Sequence, residues 1–561
     1  MRRQRIVRRT APLLLLALAA FAGGVVTGTR SDPPGPGLAE RYAVAWTRGN
    51  LKAMHAQLAP SSQRRFPLAR FERLHRAAAA TATTARIERA GRVTAAQDAV
   101  QIPLRAQTKL FGPLDGTLSM AVRTEGEVTG LVWERHLVLP GLRRGDRLRR
   151  DLTAPPRADL QARDGTLLAS GTPRTTTAAA AGGVAGTVGP IPGEQAGEYA
   201  RRGYPEDAQV GLSGLEREFE ARLAGRFGGL LRASGRLLAR AEAQRGEPVR
   251  ASISPRVQAA AVAALGPRLG GIAVLQPQTG EVLALAGIAY SALQPPGSTF
   301  KVITLAAGLE QRAVRVRDRF PVVTAATLEG VEVENANGES CGGTLTESFA
   351  ESCNSVFAPL GVRLGAQKLV AAAEAFGFNE PPSLQGAQTP VIPDAEEIGD
   401  DLALGSTAIG QGLVQSTPLH LAGVAATIAN RGEYVRPTLL KGARGRRSRA
   451  VSARTAATVG RMMQAVVTSG TGVAAQIEGV SVAGKTGTAE LRDSTPDPEA
   501  PEEVTQALED DVTDTDAWFL AYAPARRPRI AIGVLLVGAG AGGATAAPAA
   551  REVLLAALRR R

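Results

Sequence analysis

Apolar runs of strand length recur from Gly271 to the end of the chain, and they constrain the fold more than any other feature. GIAVLQPQTGEVLALAG holds two such runs joined by Gln-Pro-Gln-Thr-Gly, a hairpin signal. A helical stretch, KVITLAAGLEQ, follows the second run, and three more strand-like runs, GVSVAGKTGTAEL, DAWFLAYAP and RIAIGVLLVG, come much later. The chain closes on the helical AAPAAREVLLAALRRR. Five strands, with helices after the second and the last, predict an α+β arrangement in which a sheet is covered by helices.

At 561 residues the chain is too long for one core, so further domains are expected ahead of that sheet. Leu38, Tyr42, Ala45 and Trp46 share one helical face, and Leu51, Met54 and Leu58 another. AVQIPLRAQ, GTLSMAVRTEG and GLVWERHLVLP then read as strands. Helices followed by a curved sheet predict a compact α+β domain over residues 35–150. Residues 151–250 are heterogeneous: TTTAAAAGGVAGTVGPIPG reads as linker, and GLSGLEREFEARLAG as one helix with Leu215, Phe219 and Leu223 on one face. The strand-rich region is expected over 251–561.

The N-terminus bears on the compartment. MRRQRIVRRT carries five arginines, and an apolar run from Ala11 continues to Thr29. That run is near the ~20 residues needed to span a bilayer. Residues 1–10 are therefore expected as a basic cytoplasmic tail and 11–29 as a single transmembrane signal anchor in the cell membrane, with the bulk of the chain outside the cytoplasm. Ala20-Phe21-Ala22 leaves cleavage and release open. Outside the cytoplasm, a disulfide between Cys341 and Cys353 is permitted.

A formal net charge of +14 is compatible with nucleic acid, anionic lipid or an anionic polymer as neighbour. No aromatic-interleaved basic patch, zinc-finger spacing or phosphate-cradling glycine loop accompanies it, which argues against nucleic acid. Two cysteines and four scattered histidines make no metal site, and no cofactor is expected.

The stretch QPPGSTFKVI places Ser298 three residues before Lys301. Alone, a serine after Pro-Pro-Gly reads as a helix N-cap. As a nucleophile it would need a base, and His55, His75, His136 and His420 sit in no recognisable nucleophile context. A lysine can serve where burial or a second cation lowers its pKa, whereas arginine keeps its proton. The chain has only six lysines among 66 cationic residues, and two of them, Lys301 and Lys485, lie in Gly-flanked, Ser/Thr-rich sites, PPGSTFK and VAGKTGTAE. Where any cation would do, this composition supplies Arg. Residues i and i+3 are neighbours on a helix, and a hydroxyl in the first turn sits at the positive end of the dipole. Between these sites, ESCNSVF sets Ser352 and Asn354 two apart, where a loop can point both into one cleft.

S-x-x-K, S-x-N and K-T-G in this order resemble the penicillin-binding proteins, serine D,D-transpeptidases of the class B type. The similarity runs through TGEVLALAG, IGQGLVQSTPLHLA, DAWFLAYAP and GGATAAPAA. It implies a multidomain α+β protein whose residues 251–561 form a penicillin-binding/serine β-lactamase-like transpeptidase fold, a five-stranded antiparallel sheet flanked by helices. Residues 35–150 resemble an NTF2-like domain, and 151–250 the family's middle dimerisation or linker domain. Two departures stand out. PRADLQARDG has Ala158 where the family pattern has glycine, and only IAYSALQ separates EVLALAG from Pro295, which would leave that edge of the cleft open.

The resemblance also implies roles. Ser298 would attack the penultimate D-Ala carbonyl of a peptidoglycan stem peptide, with Lys301 as neutral base. Ser352, between Lys301 and Lys485, would pass a proton to the departing D-Ala amine. Asn354 would bind an amide of the stem. Lys485, staying charged, would hold the terminal carboxylate with Thr486 and Thr488, and Gly487 would let backbone and substrate approach. The N–H groups of Ser298 and Thr488 would form the oxyanion hole. β-Lactams would acylate the same serine, and a separate glycosyltransferase would supply glycan strands. D,D-carboxypeptidase or β-lactamase activity, and a non-catalytic β-lactam sensor or cell-wall scaffold, are the alternatives. The acidic insertion DSTPDPEAPEEVTQALEDDVTDTD, residues 493–516, matches no pattern and reads as a solvated loop.

Overall fold

The computed structural model describes residues 34–490 and 515–559. The expected tail and signal anchor, residues 1–29, lie outside the described residues, as does all of the acidic insertion but Thr515 and Asp516. Among the described residues no helix is long and apolar enough to cross a membrane.

The chain divides into two units, the first taking in the described residues up to Pro155 with Ile191–Ala208 and Gly225–Arg245. In it, α1 (Pro34–Thr47) buries Leu38, Tyr42, Ala45 and Trp46, the face its periodicity assigns to the core. Asn50 caps α2 (Leu51–His55), its side chain accepting from Ala53 N. After α3 (Pro60–Arg65), α4 (Leu68–Ala82) buries Phe71, His75, Ala78 and Ala82 at helical spacing. Strands β1 (Thr84–Arg89), β2 (Thr94–Ala96), β3 (Ala99–Thr108), β4 (Gly112–Glu125) and β5 (Val128–Leu131) form an antiparallel sheet, ordered β1-β3-β4-β5 with β2 also on β3. Alternation along β3 turns Val100, Ile102, Leu104 and Ala106 into the core.

GLVWERHLVLP departs from its expected strand. Pairing ends at Leu131, and Arg135–Val138 is a 3-10 turn. The Trp133 N–H donates to the Ser62 hydroxyl instead of a neighbouring strand, and the ring packs edge-on against Phe66 at 4.7 Å. Burying this tryptophan and Leu137 wins over extending the sheet.

A three-stranded sheet completes the first unit: β6 (Leu148–Thr153), β7 (Gly228–Ala233) and β8 (Arg236–Ala241), with β7 in the middle. Residues 151–250, expected as one middle domain, are thus divided between the two units.

The second unit holds Pro156–Pro190, Gln209–Ala224 and the described residues from Gly246 onward. GLSGLEREFEARLAG is two short helices here, Gly214–Glu218 and Glu220–Leu223, broken at Phe219. Leu215, Phe219 and Leu223 are buried as their spacing requires, but Glu216 and Glu220 are buried too. Glu216 pairs with Arg157 at 2.6 Å and Arg174 at 2.7 Å, and Glu220 pairs with Arg157 at 2.8 Å while accepting from Gly211 N. Buried carboxylates must be paired and hydrogen-bonded, and these partners orient each turn separately.

The helices that frame the catalytic region are α5 (Pro255–Leu265), α6 (Lys301–Glu310), α7 (Asn354–Leu364), α8 (Pro418–Ala429), α9 (Ala453–Ser469) and α10 (Ala546–Leu558). Its sheet comprises β9 (Gly270–Leu275), β10 (Val282–Gly287), β11 (Ala483–Glu490), β12 (Thr515–Ala523) and β13 (Ile530–Leu536), antiparallel in the order β10-β9-β13-β12-β11. Ile272, Val274, Phe519, Ile532 and Val534 pack with α5 and α10, while Ala273, Leu275, Trp518, Leu520 and Leu535 join the opposite core with α8. Burial on both faces is why these strands read as unbroken apolar runs. Every residue of α8 is buried, as a helix apolar all round must be. The layout leaves β11 at the sheet edge beside α9 and the turn that begins α6.

Candidate active site

Ser298 lies in a 3-10 turn, Gly297–Phe300, that runs directly into α6. No side chain caps this turn, so the serine is placed for something other than an N-cap. Its Oγ is 2.9 Å from Lys301 Nζ. Glycines let the surrounding backbone close on the turn. Gly297 has φ +50°, and a Cβ there would press on Thr488 O at 2.5 Å. Gly410 has φ +81° and accepts from Gly297 N at 3.0 Å. A Cβ on Gly487 would come within 2.9 Å of Pro296 O and Thr299 Cγ2, so the close approach at this glycine is to the nucleophile's own turn.

Lys301 has no solvent exposure. Burial first, and then the nearby Lys485, hold its amine well below the usual lysine range. A neutral amine has two hydrogens and one lone pair. Two of its neighbours, Ser352 O at 2.7 Å and Asn354 Oδ1, can only accept, so they take the two hydrogens. The lone pair is left facing the Ser298 hydroxyl.

Ser352 adopts φ +67°, left-handed backbone that a non-glycine residue rarely takes. Its carbonyl and its hydroxyl both reach Lys301, at 2.7 and 3.3 Å, and the hydroxyl accepts from Lys485 Nζ at 2.8 Å. Cys353, between Ser352 and Asn354, is bonded to Cys341, so the disulfide fastens this segment to a neighbouring strand, Cys341–Thr344. Asn354 does more than was expected of it. Besides accepting from Lys301, its Nδ2 donates to Glu334 O at 2.7 Å, which leaves one amide hydrogen for a ligand.

Lys485 is also without solvent exposure, and its ammonium lies 5.7 Å from the Phe349 ring centroid. Burial pushes it down to about 7 against the opposing pull of Glu351, so at neutral pH it is partly deprotonated instead of fully charged. Thr486 Oγ1 is 2.6 Å from Thr471 Oγ1, and Thr488 follows on the same edge strand.

Ser298, Lys301, Ser352, Asn354 and Lys485 thus converge, with Thr486, Gly487 and Thr488 along β11 beside them. Sequence reasoning missed Asn335, Phe349 and Thr471. Asn335 accepts from Ser355 N and donates to Val323 O, bracing the start of α7. Only the Gly-flanked SGTG around Thr471 carried a local signal. His420 is absorbed by the core: its Nδ1 is 2.8 Å from Ser416 Oγ and its Nε2 is 3.1 Å from Phe376 O, and burial pushes it down to about 4.

Comparison with known proteins agrees with this geometry. The family described as penicillin binding protein transpeptidase domain matches residues 270–555, and the penicillin-binding protein dimerisation domain matches 174–249. The chain is 35% identical over 442 residues to the peptidoglycan D,D-transpeptidase PbpA of Mycolicibacterium smegmatis, covering 66% of this chain and 82% of that one. A penicillin G acyl-enzyme complex of penicillin-binding protein A from M. tuberculosis aligns with a TM-score of 0.57 and 29% identity, over 72% of this chain and 100% of that one. PBP2 of Pseudomonas aeruginosa gives a TM-score of 0.62 and 25% identity, over 74% and 97%. The chain belongs to the penicillin-binding proteins that carry this transpeptidase domain.

Proposed function

We propose that the protein is a peptidoglycan D,D-transpeptidase that forms its acyl-enzyme on Ser298. The observation that carries this reading is the 2.9 Å contact between Ser298 Oγ and the buried Lys301 amine, whose other neighbours leave its lone pair for the serine proton. Related proteins named D,D-transpeptidase, and a relative seen as a penicillin acyl-enzyme, support it.

In this mechanism Lys301 takes the Ser298 proton as Oγ attacks the penultimate D-Ala carbonyl. The N–H groups of Ser298 and Thr488 receive the oxyanion, and losing one such donor costs about 3–4 kcal/mol in other serine enzymes. As the C–N bond breaks, Ser352 hands a proton to the departing D-Ala amine and is resupplied by the lysine that took it. The amine of a second stem peptide then attacks the ester, gives up a proton, and Ser298 regains its hydrogen. Lys485 holds the terminal carboxylate with Thr486 and Thr488, the remaining amide hydrogen of Asn354 meets the stem, and the peptide lies along the β11 edge. A β-lactam follows the first half of this path.

Fluorescent penicillin labelling of the full chain and of Ser298→Ala tests the reading. Stable label on the wild type alone is expected. No label on the wild type would overturn every acyl-enzyme mechanism, and rapid loss of label would make the protein a hydrolase.

The same reading assigns residues 11–29 as a signal anchor, the catalytic unit as extracytoplasmic and a separate glycosyltransferase as the source of glycan. Residues 35–150 are read as NTF2-like, on the strength of helices preceding a mixed-length antiparallel sheet. Membrane fractionation with and without residues 1–29 tests the anchor: loss from the membrane fraction on deletion is expected.

A further inference from the structure

A cavity of about 620 Å³ opens in the second unit and shares no residue with the catalytic cleft. It lies where the first turn of α5, the β9–β10 turn and the start of β13 meet. Arg163, Arg250, Arg256, Lys441 and Arg529 line it, against the single carboxylate of Asp164. Glu281, buried behind the wall, pairs with Arg163 at 3.2 Å and accepts from Gly442 N at 2.8 Å, so it answers Arg163 and leaves the cationic excess to Arg250, Arg256, Lys441 and Arg529.

The start of α5 adds an independent observation. Its first turn contains no acidic residue, and Arg256 occupies it, a cation at the positive end of the helix dipole. Ser254, at the N-cap, also lines the cavity and makes no side-chain cap bond. Both features are unfavourable to an empty site and favourable to a bound anion. Arg250, Arg256, Lys441 and Arg529 are exposed, whereas Val257, Leu283 and Ile530 form a buried apolar floor.

We propose that this cavity binds a polyvalent phosphate-bearing ligand, its phosphates on the guanidinium forks and its neutral body on the apolar floor. Phosphate is favoured because its oxygens accept bidentately from planar guanidinium groups while answering several cations at once. The volume falls in the range of pockets for multi-group ligands, about 300–1,000 Å³, and exceeds the needs of a single phosphate.

Tripolyphosphate titrated calorimetrically into the full chain at low ionic strength is the probe. Arg250→Ala/Arg256→Ala removes two exposed cations, and Arg526→Ala/Arg527→Ala, outside the cavity, controls for general charge. Saturable binding by the wild type and the control is expected, at least about tenfold weaker in the cavity variant, as the loss of charge-assisted hydrogen bonds requires. Unchanged penicillin acylation in both variants reports an intact fold. No saturable binding, or equal weakening in the control, would overturn the proposal. Phosphatidylglycerol vesicles separate the sources of phosphate. Co-sedimentation that tripolyphosphate weakens, and that is weaker in the cavity variant, assigns a lipid headgroup; tripolyphosphate binding with co-sedimentation unchanged by tripolyphosphate and by the variant assigns a soluble phosphate.

Discussion

The Ser352 hydroxyl and the Lys485 amine meet at 2.8 Å across 133 residues of sequence. The same hydroxyl lies 3.3 Å from Lys301, so it joins the two buried amines of the site. Ser352→Gly removes the hydroxyl and suits the φ of +67° at this position, whereas Ser352→Ala removes it and keeps the left-handed strain of about 1–2 kcal/mol that the serine already bears. Both variants should lose acylation by roughly 10²–10⁴-fold, the usual worth of a positioned proton-transfer group. Stopped-flow penicillin acylation checks this, with the glycine variant melting no lower than the alanine one. Wild-type acylation in Ser352→Gly would remove the relay from the mechanism.

The two amines also set a pH profile. In the proposed mechanism Lys301 is the neutral base, so protonating it at low pH slows acylation. In the same mechanism Lys485 holds a carboxylate as a cation, and it loses that charge as pH rises through about 7. Second-order acylation by an anionic penicillin should therefore be bell-shaped and decline above about pH 7, its two limbs belonging to the coupled pair. Lys485→Arg keeps its charge at every accessible pH, so its slower reaction should lack the alkaline decline. A wild-type profile flat from acid to alkali would refute the assignment of roles.

How far the sequence disclosed this site depended on the range of each contact. Ser298 and Lys301 are one helical turn apart, so spacing alone brought them together. β9, β10, β12 and β13 were legible because burial on both faces leaves long apolar runs. Contacts made across the fold had no such signature: Phe349 beneath Lys485, Thr471 on Thr486, Glu334 O on Asn354. The helix drawn through residues 214–223 failed for a related reason. Arginines distant in sequence draw its carboxylates inside, and nothing local marks those pairs.

The Cys341–Cys353 bond closes a loop between residues twelve apart and anchors the residue between Ser352 and Asn354. A loop of this size corresponds to about 3 kcal/mol in the chain-entropy model. Cys341→Ala, or reduction of the wild type, should lower the thermal midpoint of the catalytic unit and slow acylation together. Calorimetry with and without reductant, paired with penicillin labelling, measures both. An unchanged acylation rate after verified reduction would show that the S-x-N segment holds its position unaided.

Gly487 separates packing from chemistry. An added Cβ would meet Pro296 O and Thr299 Cγ2 at 2.9 Å and Trp518 Cβ at 3.0 Å, so Gly487→Ala must push β11 away from the serine turn. Overpacking typically costs about 1–3 kcal/mol, and displacing the strand should cut acylation about 10²-fold. Equilibrium unfolding and acylation kinetics on one preparation test this. Stability lost without loss of rate would mean that the turn and the strand move together.

His420 supplies the acid limit of the fold. Its ring is buried beneath Phe378 at 4.4 Å and bridges Ser416 and Phe376 O. Burial pushes it down to about 4, below the value of 6.5 it has when exposed in the unfolded chain. The unfolded state therefore binds this proton first as pH falls. The stabilisation is complete above pH 6.5, declines below it and is fully lost once pH passes the folded value near 4. A shift of this size corresponds to about 3 kcal/mol over that window. Denaturant unfolding of the catalytic unit from pH 8 down to pH 4 should show the decline, and His420→Gln, which does not titrate, should flatten it while lowering stability at neutral pH. An equal slope in wild type and variant would place the acid sensitivity elsewhere.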